Sequence, residues 1–267
     1  MEILILLLII TIAVVSFLYP RWRDQRIIKT PFPSEWEEIV TRRLPFISKL
    51  EGGLQTQLQN KIKLFIAKKS FYGCDGLELS DEIRVTIAAE ACLLLLNRPI
   101  EVYPKLRYIL VYPAAFKKST EQHNNDGTVN EVQSGLLGES WSNGKVILSW
   151  SDVESGVENF DDGQNVVLHE FAHQLDSHSG ATNGAPRLRK NSYSVWAEVF
   201  SNEFEVLTKA RDKNYKNTMD YYGATNPAEF FAVATETFFE KPEQMNKKHP
   251  ELFELLKIYY SVDPSDW

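Results

Sequence analysis

Residues Val166–Asp176 read VVLHEFAHQLD, and within them His169, Glu170 and His173 form an HExxH pattern that decides how the rest of the chain is read. Residues four apart on a helix share one face with their side chains about 6 Å apart, so both imidazoles reach a single ion while Glu170 projects beside it. Two neutral imidazoles and one carboxylate are a zinc donor set. They leave the fourth tetrahedral position open to water, whose pKa the metal lowers toward about 7. Glu170 is then placed to take that water's proton as general base and pass it to a leaving amine. Val166, Val167, Phe171, Ala172 and Leu175 supply an apolar stripe, so the helix is expected in the core. Histidines and a glutamate buried there need partners, and a metal provides them. The pattern arises by chance in roughly one chain of this size in a hundred.

The third ligand is sought among the glutamates downstream. Glu198 and Glu203 lie in the amphipathic run VWAEVFSNEFEVL and are expected on a solvated helix face. The stretch TNPAE, residues 225–229, offers a helix start with Asn226 as N-cap and Pro227 at the first helical position. This fixes Glu229 in the first turn of a helix that continues Phe230, Phe231, Ala232, Val233 and Ala234, where a buried carboxylate needs a cation. Glu236, seven residues on and on nearly the same face, reads equally as a ligand or as a carboxylate orienting one. Asp176, close to one turn after His173, reads as an orienting carboxylate or as a solvated helix end.

Working outward, helical periodicity marks residues 35–43, 54–68 and 80–96, the last with Ser80 as N-cap. Strand character appears in YILVY, residues 108–112, and in KVILSW, residues 145–150, after the turn Ser142-Asn143-Gly144. HNNDGTV, residues 123–129, reads as a loop, and helices return from about Gln164. Helices, then mixed strands, then helices indicate an α+β domain, mostly helical with a small mixed sheet. With no repeat or second linker, residues 34–267 read as one domain.

Residues 3–19 contain no charged side chain, and seventeen helical residues reach about 25 Å. That is the short end of a bilayer span, so residues 1–20 are expected to form one transmembrane helix and residues 21–33 a basic juxtamembrane linker. Arg21, Arg23, Arg26 and Lys29 follow the helix and no Lys or Arg precedes it. The positive-inside rule then orients the remainder toward the cytoplasm, at the cell's inner membrane. Cys74 and Cys92 form no CxxC pair and build no disulfide framework. With 29 basic against 36 acidic residues and a net charge of −7, direct nucleic-acid binding is not expected. Of the other histidines, His178 reads as a surface residue, and His123 and His249 stand in polar segments with no role assigned.

The runs GCDGLELSDEIRVTIAAEACLLLL (73–96), ILVYPAAF (109–116), GESW (138–141), VILSWSDV (146–153), HEFAHQLD and YGATNPAEFFAVATETFF (222–239) resemble the Mlc titration factor A family of zinc peptidases. The C-terminal half is also similar to the catalytic domain of anthrax lethal factor. The resemblance implies a zincin fold of the gluzincin kind, with Glu229 as third zinc ligand, Tyr222 as the active-site tyrosine and residues 145–150 as the edge strand that holds extended substrate. It implies a zinc metallopeptidase acting on peptide or protein substrates, aminopeptidase-like or as an endopeptidase of short peptides. Members of the family also bind a transcription repressor, so a regulatory binding protein is the alternative reading. The N-terminal apolar segment departs from the soluble members of that family. A lid over the cleft, from residues 117–135 or 177–192, is a further expectation.

Overall fold

Ser80 starts a helix because its Oγ accepts a hydrogen bond from the Ile83 N–H at 3.3 Å, and the apolar run that follows has nowhere to go but inward. In the computed structural model, which describes residues 2–99, 101–114, 119–123, 129–133, 144–189 and 191–267, that helix is α4, Asp81–Leu93. Before it come α1, Glu2–Lys29, α2, Ser34–Arg43, α3, Gly52–Lys68, and strand β1, Ser70–Gly73. After it come β2, Tyr108–Tyr112, β3, Ser119–His123, β4, Val129–Gln133, and β5, Lys145–Ser149. The rest is helical: α5, Trp150–Glu158, α6, Val166–Asp176, α7, Tyr193–Asp212, α8, Pro227–Glu240, α9, Pro242–Lys248, and α10, Pro250–Tyr260. One apolar cluster, from Val40 to Val262, draws on α2–α4, β2, β5 and α5–α10.

The sheet corrects one expectation. Its three strands lie in the order β1-β2-β5 and all run parallel, Ile109 pairing with Phe71 on one side and Val146 on the other. Among the described residues the mixed character is absent, and the antiparallel pair β3-β4 stands apart as a second sheet. The reason is connectivity. Helix α4 and the chain after it carry β1 over to β2, and a crossover of that length brings the next strand back in the same direction. β5 is an edge of the sheet among the described residues. Of the segment read as a loop, His123 ends β3 and Val129 begins β4. Residues 117, 118, 124–128, 134 and 135 of the lid candidate 117–135 lie outside the described residues. The other lid candidate, 177–192, is anchored at its start, where Lys105 Nζ donates to the Ser177 and His178 carbonyls at 3.0 and 3.3 Å.

The N-terminal helix differs from the expected span and linker. α1 does not stop near Pro20 but continues to Lys29, so most of residues 21–33 are helix. Its last turns dock on the domain: Asp24 Oδ2 meets Lys68 Nζ of α3 at 2.5 Å, Lys63 Nζ donates to the Ile28 and Thr30 carbonyls, and Ile27 and Ile28 pack on the core. Among the described residues no helix is long and apolar enough to cross a membrane. The membrane-spanning expectation is therefore not supported there, and the side chains at 4, 6–8, 10, 11 and 13 lie outside that description. Ile3, Ile5, Ile9, Ile12 and Phe17 are each more than half exposed.

Candidate metal centre

Helix α6 begins where the sequence provides a cap. Asn165 Oδ1 accepts from the Leu168 N–H at 2.9 Å, and Val167, Leu168, Phe171 and Ala172 are fully buried behind it. Helix α8 begins in the same way, with Asn226 Oδ1 accepting from the N–H groups of Ala228 and Glu229 at 2.9 and 3.1 Å and Pro227 at the first turn. The two helices pack face to face, which sets Glu229 opposite the paired histidines. His169 Nε2 lies 2.9 Å from Glu229 Oε2, His173 Nε2 lies 3.3 Å from the same oxygen, and the two Nε2 atoms are 3.2 Å apart. All three side chains are buried.

The protons in this cluster follow from burial and charge. Burial drives both imidazoles toward neutrality and prevails at His173, held down at about 4. At His169 the carboxylates of Glu236, Glu229 and Glu170 outweigh it and raise the pKa to about 10. Burial also pushes Glu229 up, but hydrogen bonds from His169 and His173 hold it at about 2. The metal-free cluster therefore keeps a single extra proton at its centre. Three ligand atoms that lie within 4.8 Å of one another, gathered around one positive charge, fit a divalent cation, and two imidazoles with a carboxylate fit zinc.

Around this centre the sequence-derived residues separate by what they touch. Glu236 Oε1 accepts from His169 Nδ1 at 2.7 Å and its Oε2 from the Asn165 N–H at 2.6 Å, so it lies behind His169 and outside the converging set. That bond keeps one proton on His169 Nδ1, so the extra proton is the one on Nε2, where a metal would take its place. Asp176 is fully buried rather than a solvated helix end. Its Oδ2 accepts from the Gly184 N–H at 2.7 Å, and burial raises its pKa to about 6 against the backbone N–H groups of residues 183–185. Tyr222, 46% exposed, sets its ring centroid 5.8 Å from that of His169. Burial, then Glu229 and Glu170, raise its pKa, which keeps the phenol protonated and able to donate. His169, Glu170, Tyr222, Asp152 and Asp220 line a cavity of about 370 Å³.

A family model for the glucose-regulated metallo-peptidases M90 matches residues 19–261. The chain belongs to that family. Among the similar proteins, the uncharacterized protein slr2042 of Synechocystis sp. is 40% identical over 266 residues, 97% of each chain. Mlc titration factor A of Klebsiella pneumoniae is 30% identical over 233 residues, 86% of each, and that of Yersinia pestis 28% identical over 235 residues, 86% of this chain and 85% of its own. The M90 match spans both helices of the cluster and all of the sheet.

Sequence reasoning missed three residues here. Asn165 was legible as an N-cap three residues before Leu168, and Glu90 as a lone acid inside IAAEACLLLL. His249, given no role, is 5% exposed and binds Glu203 Oε2 through Nδ1 at 2.7 Å, so Glu203 does not simply face solvent. Glu198 is exposed, as expected, and His178 is half-buried and not part of the metal cluster.

Proposed function

We propose that this chain is a zinc-dependent peptidase that hydrolyses peptide bonds in peptides or exposed protein termini. The observation that carries the reading is the convergence of His169, His173 and Glu229, with His169 lining a cavity beside Glu170 and Tyr222. His169, His173 and Glu229 hold the metal. When bound, zinc supplies a Lewis acid and lowers the pKa of water toward about 7. Glu170 takes the proton of the attacking water and delivers it to the leaving amine, and the Tyr222 hydroxyl donates to the developing oxyanion. The edge that β5 forms among the described residues receives extended substrate by main-chain hydrogen bonds. Among the described residues, Asp152 and Asp220 line the cavity and no Lys or Arg does, which favours a substrate with a free amine and hence aminopeptidase action. Glu170→Gln is expected to keep zinc while peptide hydrolysis falls by roughly 10²–10⁴-fold. Unchanged hydrolysis by purified, zinc-loaded Glu170→Gln protein would sink the mechanism.

The name of the Mlc titration factor A relatives favours a second reading, in which the chain sequesters a transcription repressor and hydrolysis is secondary. A repressor held stoichiometrically by the Glu170→Gln protein in a pull-down is the outcome that reading requires. For location, we propose that the apolar start of α1 seats the chain in the inner membrane with the peptidase domain toward the cytoplasm. The exposed Ile3, Ile9 and Phe17 and the flanking Arg21, Arg23 and Arg26 support this.

A further inference from the structure

A carboxyl buried among Ala88, Ala89, Ala91 and Leu93 has no business in an apolar helix unless something there requires it. Glu90 of α4 is fully buried, and its Oε1 accepts from Asn165 Nδ2 at 2.6 Å. Asn165, 1% exposed, uses every part of itself. Its Oδ1 caps α6 at Leu168, its Nδ2 reaches Glu90, and its backbone N–H reaches Glu236, whose other oxygen takes the His169 Nδ1 proton. We propose that Glu90 and Asn165 are positioning residues for the metal, the inner links of a buried chain Glu90-Asn165-Glu236-His169 that fixes the first imidazole. The inference rests on the metal reading above.

The amide of Asn165 has two ends of nearly equal shape. An amide turned over would set its NH₂ against the Leu168 N–H, two donors facing each other, and the cap on α6 would be lost. Glu90, an acceptor on the far side, selects the orientation that keeps the cap. The cap holds residue 165 where its N–H meets Glu236, so Glu236 cannot swing from His169. The turn is held a second time two residues earlier, where Glu240 Oε2 accepts from the Gly163 N–H at 2.8 Å. Burial raises Glu90 to about 8 and Glu240 to about 9, so near neutral pH both keep a proton and add no charge beside Glu236. A glutamine at 90 presents the same carbonyl to Asn165.

The experiment measures zinc affinity by competition with a chromophoric chelator on full-length protein, beside melting of the metal-free form. Glu90→Gln is expected to bind zinc within about threefold of the parent, whereas Glu90→Ala weakens it by roughly 10–100-fold, the range for loss of outer ligand support. Asn165→Ser guards against misfolding, because serine still caps α6 but is too short to reach Glu90. It is expected to fold and to bind zinc within about threefold of the parent, with or without Glu90→Ala added, because a serine cap has no second orientation for Glu90 to select. Parent-like zinc affinity in folded Glu90→Ala protein overturns the proposal, as does an equal loss in Glu90→Gln, or a loss on adding Glu90→Ala to Asn165→Ser as large as the one in the parent. A parent protein that binds no zinc would fail the metal reading itself, a distinct outcome.

Discussion

His169 carries the proton that a metal must displace, and this makes zinc affinity a function of pH. Its pKa of about 10 means that below that pH each zinc ion bound expels one proton from the cluster. Affinity is therefore expected to rise about tenfold per pH unit between roughly pH 6 and 8. Chelator competition across that range checks it, and an affinity flat with pH would remove the argument. The sign for stability follows from the same group. Its pKa is raised above the unfolded value, so its contribution is whole below about 6.5 and is lost as pH climbs through about 10. Glu90 and Glu240, raised to about 8 and 9, act in the same direction above their ordinary value near 4.5. The metal-free protein is thus expected to melt lower at pH 9 than at pH 7. Zinc-loaded protein should show a smaller drop, because the ion replaces the His169 proton.

Between the two ligand helices, a single glycine sets the spacing. Gly184 sits at φ +78, and a Cβ there would stand 2.3 Å from the Pro227 carbonyl oxygen at the start of α8. Its N–H is held by Asp176 at the end of α6, and its carbonyl by Trp196 Nε1 of α7 at 2.9 Å. One residue thus ties the helix of His169 and His173 to the helix of Glu229. Gly184→Ala combines a left-handed backbone with a clash against backbone, so it is expected to destabilise the fold by more than about 2 kcal/mol and to weaken zinc binding. Thermal melting of the variant checks this; a loss below about 0.5 kcal/mol would show that α6 and α8 are spaced by something else. The elements that hold the site were legible because their signals are local. Asn226 and Pro227 announce α8 within three residues, and HExxH lies within one turn and a half of α6. What escaped depended on distance along the chain. The direction of β5 beside β2 is set by the connection between them, not by either strand's residues. Glu90 becomes meaningful only through Asn165, 75 residues away, and Asp176 only through a turn that folds back on it. A carboxyl's burial is a tertiary fact, and residue type alone reads it as surface.

At the scale of the whole molecule, α1 has two ends with different attachments, and truncation separates them. The family match begins at residue 19, where the helix approaches the part that docks on the domain. Residues from Asp24 onward touch α3: Asp24 pairs with Lys68, the Ile28 and Thr30 carbonyls satisfy Lys63, and Ile27 and Ile28 pack on the core. Residues 3–18 make no such contacts among the described side chains and present apolar surface instead. A chain beginning at residue 19 is expected to melt within about 2 °C of the full chain, since little is lost from the fold. One beginning at residue 32 leaves the buried Lys63 ammonium without its acceptors and strips the two isoleucines from the core. Those losses together cost roughly 3 kcal/mol, or about 6–12 °C for a domain of this size. The same three proteins test the membrane proposal, because the full chain should float with lipid vesicles in a density gradient while both shorter chains stay with the soluble fraction. Flotation of the chain beginning at residue 19 would transfer the attachment to the docked basic half of the helix. A full chain that stays behind would leave the exposed isoleucines of α1 to a protein partner.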